Sequence, residues 1–166
     1  MNASTAEATR FELTLAPSME IVSSVRVFVS ALFDKQFGAP DASAKIQVAT
    51  HELLENAVKG SSKGPVKLLV VFERKGALCN VEIRTWNQAS GWNIACLQRA
   101  VKNSKEAKNP AEHFLQLMKE TSTRKDGSGL GIGRINSEAG LRIECEVNGD
   151  LVCVLATGRI PVEDRS

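Results

Sequence analysis

His51-Glu52-Leu53-Leu54-Glu55-Asn56-Ala57-Val58-Lys59 and, further along, Asp126-Gly127-Ser128-Gly129-Leu130-Gly131-Ile132-Gly133 are the two stretches on which the reading of this chain turns. In the first, Glu52 and Asn56 stand at i and i+4, positions that lie one above the other on a helix. Their side chains therefore project together, while Leu53, Leu54, Ala57 and Val58 turn to a core. The second stretch alternates glycine with Ser128, Leu130 and Ile132. That density is unsuited to an ordinary helix start, because each glycine inside a helix costs about 1 kcal/mol. Glycines let main-chain N–H groups come close to a phosphate, and a following helix adds the positive end of its dipole. Most Glu-x-x-x-Asn pairs are only the solvated face of an amphipathic helix, and glycines also serve close helix-to-sheet packing. The two stretches in one chain favour a nucleotide site over either reading taken alone.

Working outward, Phe11-Glu12-Leu13-Thr14-Leu15 alternates as a half-buried strand does. After Pro17, Ser18 is placed to cap a helix in which Ile21, Val22, Val25, Phe28, Val29, Leu32 and Phe33 form an apolar face, ending near Gly38-Ala39-Pro40. A second helix begins near Asp41 and carries the His51–Lys59 stretch. Its buried line is Ile46, Ala49, Leu53 and Ala57, and Gly60 is its expected terminator. Val66–Glu73 and Cys79–Thr85 read as strands joined by a turn around Arg74-Lys75-Gly76. A short helix from Trp92 to Val101, a polar stretch from Lys102 to Asn109 and a helical segment from Ala111 to Thr121 follow. A helix over Gly129–Glu138 comes next, then a hairpin of Leu141–Val147 and Leu151–Thr157 turning at Asn148-Gly149. This order predicts an α+β fold: a two-layer α/β sandwich with a mixed, mostly antiparallel sheet and helices on one face.

With 166 residues, the chain has room for one core without staples. Hydrophobic content of 43% and charged content of 24% are those of an ordinary globular domain, and a net charge of +2 gives no reason to expect nucleic acid or an anionic membrane. Cys79, Cys96, Cys145 and Cys153 have no C-x-x-C spacing, so reduced thiols are expected in place of a zinc site. Residues 1–10 read as a flexible N-terminus without an apolar signal core, no membrane-length apolar run occurs, and a cytoplasmic location is expected.

The two stretches resemble motifs of the Bergerat-fold (GHKL) ATPases. Glu52-Leu53-Leu54-Glu55-Asn56-Ala57 looks like the N box, within 51–59, and Gly127-Ser128-Gly129-Leu130-Gly131 looks like the second glycine box, within 127–133. Between them, Asn87-Gln88-Ala89-Ser90-Gly91-Trp92 is a weakened form of the first glycine box, Asp-x-Gly-x-Gly, with Asn87 in place of the aspartate, Ala89 in place of the first glycine and Gly91 retained. The resemblance implies a single histidine-kinase-like ATPase domain over 11–160 with a lid at about 93–126. In compactness it is most similar to the bacterial anti-sigma-factor serine/threonine kinases.

The same resemblance implies ATP and Mg²⁺ as cofactors, with Asn56 on the metal and Glu52 as the catalytic residue serving the attacking hydroxyl or water. An amide oxygen is a hard ligand suited to magnesium, and a carboxylate is a competent base. Asn87, Gly91, Gly127, Ser128, Gly129, Leu130, Gly131, Ile132 and Gly133 would contact ATP. Lys59 would face either a phosphate or solvent, and Glu55 would face solvent. Lys119, Arg124 and Lys125 in the lid would either offset phosphate charge or form a solvated charge run. In the family, the aspartate at the Asn87 position accepts from the adenine amino group; asparagine accepts through a neutral oxygen, a bond ~1 kcal/mol weaker. Ala89 adds a methyl group where backbone approaches nucleotide. The threonine that often backs the adenine would fall near Leu151, Val152 and Cys153, with Thr157 too late.

The implied activity is signal transduction by phosphorylation of a small partner protein, with an anti-anti-sigma-type domain as phosphoacceptor. A sigma factor, a phosphatase or a second copy of the chain are further implied partners. Two alternatives stand beside it: a pseudo-kinase binding module that sequesters a partner with weak or no ATP binding, and a stand-alone sensor-histidine-kinase ATPase domain.

Overall fold

A computed structural model describes residues 8–122 and 129–163 of the chain. Five strands form one sheet: β1 (Ala8–Leu15), β2 (Ser61–Lys75), β3 (Leu78–Ala89), β4 (Arg142–Asn148) and β5 (Leu151–Pro161), in the spatial order β1-β2-β3-β5-β4. Every pairing is antiparallel, so the parallel pair allowed for in a mixed sheet does not occur among the described strands. Helices α1 (Met19–Phe37) and α2 (Pro40–Gly60) lie between β1 and β2 in the chain, and α3 (Gly91–Glu106), α4 (Pro110–Thr121) and α5 (Leu130–Arg134) lie between β3 and β4. A π-helical turn over Ile135–Ala139 continues α5 without a break. The two-layer α+β architecture is the one the residue patterns predict.

Strand alternation sets the layers. Val66, Leu68, Val70 and Phe72 on β2 and Val81, Ile83, Thr85 and Asn87 on β3 point inward and are buried. Against them α2 lays Ile46, Ala49, Leu53 and Ala57, all buried as expected. On α1 the buried line is Val22, Val25, Val29, Phe33 and Phe37. Ile21 and Phe28, assigned to that face from the sequence, are exposed. The apolar residues of α1 span more than one face, and Phe28 stacks on Phe11 of β1, with ring centroids 5.0 Å apart. Phe33 and Phe72 meet edge to face at 4.9 Å, and Phe37 lies against both.

Boundaries differ in physically interpretable ways. β1 begins at Ala8, inside the segment read as a flexible terminus, because Ala8, Thr9 and Arg10 pair with Glu73, Phe72 and Val71. Residues that hydrogen-bond along a ladder need no apolar alternation of their own. Gly60 does not end α2 through a left-handed cap. It is the last helical residue, and the chain passes directly into β2 at Ser61. α3 continues to Glu106, through polar residues read as a loop. The β4–β5 turn is Gly149-Asp150, one residue later than Asn148-Gly149, with Gly149 at φ 63° and Asn148 still paired with Leu151.

The four thiols are unpaired, and burial pushes Cys79 and Cys145 up to about 11. No cluster of metal-ligating side chains and no helix long and apolar enough to cross a membrane occurs among the described residues. The aromatic cluster gives a direct test of the core. Phe72→Ala is expected to remove about 3–5 kcal/mol from the free energy of unfolding in urea; an unchanged midpoint would show that the three rings do not pack as described.

Candidate functional site

Helices α2, α3 and α5 and strands β3 and β5 build the site. On α2 the i, i+4 spacing places Glu52 and Asn56 on the side facing α5, with Glu52 only 6% exposed. On α5, Gly131 meets them: a Cβ built on Gly131 would stand 2.5 Å from Oε2 of Glu52 and 3.4 Å from Nδ2 of Asn56. No side chain larger than hydrogen fits there without displacing the carboxylate. Gly129 precedes the helix at φ 96°, a left-handed conformation that glycine adopts at little cost. These residues line a cavity of about 730 Å³, whose wall also includes Lys59, Leu130 and Ile132. The volume is that of a small-molecule site.

Asn87 belongs to β3 rather than to a loop. The strand runs two residues beyond it to Ala89, and Asn87 is paired with Val152 of β5. It is 5% exposed and lines the cavity, as do Ala89, Val152 and Val154. Thr157 pairs with Glu82 further up the sheet, well away from Asn87. Ser90 caps α3 by accepting from the Asn93 N–H at 3.4 Å, and from that helix Trp92, Cys96 and Ala100 complete the wall.

Other residues singled out in the sequence lie elsewhere. Gly91 starts α3 but does not line the cavity, and a Cβ there would meet nothing. Gly133 faces α4, where a Cβ would come within 2.7 Å of Leu117, and its N–H is donated to the Gly129 carbonyl at 3.0 Å. Close packing explains this glycine. Lys59 pairs with Glu55 at 2.8 Å, and Glu55, read as solvent-facing, is partly buried at the cavity wall. Gly127, Ser128, Arg124 and Lys125 lie outside the described residues.

Sequence reasoning overlooked Arg134. Its Nη1 donates to Oε1 of Glu52 at 2.7 Å, its Nε lies 3.6 Å from Glu138, and its guanidinium sits 5.9 Å from the centre of the Phe114 ring. A signal was present: Arg134 stands three residues after Gly131, hence on the same helix face. The carboxylate therefore carries one oxygen engaged by a cation and one turned to Gly131. Chemically the cavity offers a carboxylate, a carboxamide, a guanidinium and the first-turn N–H groups of α5, above an apolar floor containing one amide.

No family model and no curated protein matches this sequence. Among solved structures, a chain from the crystal structure of the SiaB–SiaC complex of Pseudomonas aeruginosa has a similar fold. The TM-score is 0.63, covering 90% of this chain and 89% of that one, at 13% sequence identity. At that identity the likeness concerns the fold alone.

The ion pair is testable by a double-mutant cycle. Arg134→Met leaves a buried carboxylate unpaired. Because Arg134 is 40% exposed, the expected loss is about 1–3 kcal/mol, below the range for a fully buried pair. Adding Glu52→Gln to that variant is expected to restore part of it. Additive losses within about 0.5 kcal/mol would show that the two groups do not interact.

Proposed function

We propose that this chain is an ATP-binding regulatory serine/threonine protein kinase of the anti-sigma-factor type, which phosphorylates a small partner protein. The observation that supports it most is the meeting of Glu52, Asn56 and Gly131 at the wall of one cavity. That is the arrangement which a Bergerat-type N box and second glycine box would need.

The residues present suit Mg·ATP. The N–H groups of Leu130, Gly131 and Ile132 belong to the first turn of α5 and have no acceptor within the helix, so they are available to phosphate oxygens. Asn56 would hold the metal through its hard amide oxygen, and the metal would offset the charge of the phosphates. Arg134 adds a fixed positive charge beside the same wall. In transfer, the acceptor hydroxyl oxygen bonds to the γ-phosphorus as the bond to the β–γ bridging oxygen breaks and ADP leaves. Glu52 takes the hydroxyl proton through Oε2, the oxygen that Arg134 does not hold. The protein's part in such chemistry is chiefly positioning and charge. The partner that fits this reading carries an anti-anti-sigma-type domain, and the presence of this fold in a crystallised two-protein complex is consistent with a partner-binding regulator.

A second reading, a pseudo-kinase module that binds a partner without turnover, is favoured by one observation: the would-be base is already ion-paired with Arg134. Calorimetric titration separates the two. The kinase reading predicts saturable binding of Mg·ATP in the micromolar range, abolished by Asn56→Ala. It also predicts transfer of labelled phosphate to a small partner, lost in Glu52→Ala. Absence of heat at millimolar Mg·ATP would leave the binding module; transfer unchanged in Glu52→Ala would remove that residue from the mechanism.

A further inference from the structure

Asn87 is a buried carboxamide with no hydrogen-bond partner for its side chain among the described residues, and it lies at the wall of the main cavity. Its surroundings are apolar or bare. Ala57, Ala89, Val152 and Val154 line the cavity with it, and its Nδ2 faces Gly60, where a Cβ would sit 3.5 Å away. A polar group this buried is ordinarily hydrogen-bonded, and the Asn87 amide keeps some exposure to the cavity, where a ligand atom can pair with it. Apolar residues around one amide suit the edge of a heteroaromatic ring.

A carboxamide presents one acceptor and one pair of donors side by side, and rotation about its last bond exchanges them. Toward a 6-aminopurine, its oxygen accepts from the amino group while its N–H donates to N1. Rotated, it meets a 6-oxopurine equally well: the N–H donates to O6 and the oxygen accepts from N1–H. A carboxylate has acceptors only and would repel O6. Among the described residues no side chain holds the Asn87 amide in either orientation.

Resting on the nucleotide-site reading above, we infer that Asn87 makes the site tolerant of the purine 6-position, so that the chain accepts 6-oxopurine nucleoside triphosphates alongside ATP. The phosphate and metal contacts on α2 and α5 are common to both ligands and do not discriminate. The base edge alone would select, and here it does not.

The test is an equilibrium titration of the full chain with Mg²⁺ and either ATP or inosine triphosphate, which carries the 6-oxo edge without the extra amino group of guanine. The expected Kd values lie within about threefold of each other. In Asn87→Asp, inosine triphosphate is expected to weaken by about tenfold or more relative to ATP, because the buried acceptor faces O6 unpaired. Wild-type binding of ATP with inosine triphosphate more than about tenfold weaker would overturn the inference while leaving the nucleotide site intact. Failure of both nucleotides to bind would remove the site itself. Equal weakening of both in a folded Asn87→Asp chain, with circular dichroism as the check, would assign Asn87 a structural role and also overturn the inference. Should that variant not fold, the wild-type ratio decides alone.

Discussion

The approach of α5 to α2 governs the site, and it depends on one missing side chain. Gly131 occupies a position where a methyl group would strike the carboxylate of Glu52. Because that atom is absent, the two helices come close enough for Arg134, one turn on, to reach Oε1 of the same carboxylate. A buried carboxylate is tolerable only when paired. The glycine thus creates the closeness and the arginine makes it stable. The cavity opens beside this junction, with Glu52, Asn56 and Arg134 in its wall.

The rest of the fold keeps those parts in register. The phenylalanines of α1 and β2 anchor the helical layer to the sheet, and α2 spans that layer with its apolar line inward. At the other end of the cavity, β3 and β5 run side by side and bring Asn87 level with Val152. Asn136 donates to the hydroxyl and carbonyl oxygens of Ser104, tying α3 to the π-helical turn that follows Arg134. A π-helical turn shifts the helical register locally and is common next to functional groups. Here it follows directly on the arginine and ends at Gly140, in the left-handed conformation.

Much of this was legible in the residues themselves. The i, i+4 relation of Glu52 and Asn56 and the glycine run around Gly131 were each readable, and the structure brings them together. Alternation predicts β4 to within one residue at each end, whereas β3 and β5 each run four residues past their expected C-terminal ends. What escaped was what local pattern does not encode. Ala8–Arg10 becomes a strand through its partners on β2, and Asn87 is a strand residue because its ladder with β5 continues past Trp86. Phe28 looks like core on an apolar helix but finds Phe11 at the surface. Gly133 reads as part of a phosphate loop, yet its N–H is spent within the helix and its bare face packs on Leu117. Arg134 was missed because a lone charge after glycines looks like surface until its partner, far away in sequence, is known.

The central claim is that the first turn of α5, set against Glu52 and Asn56, receives a triphosphate. Amide NMR of the labelled chain during titration with Mg·ATP examines it at those positions. The account predicts saturable shifts at Gly129, Leu130, Gly131 and Ile132, with Asn56 and Asn87 moving in step and the outer face of α1 unmoved. Shifts confined to another surface, or none at millimolar nucleotide, would contradict it.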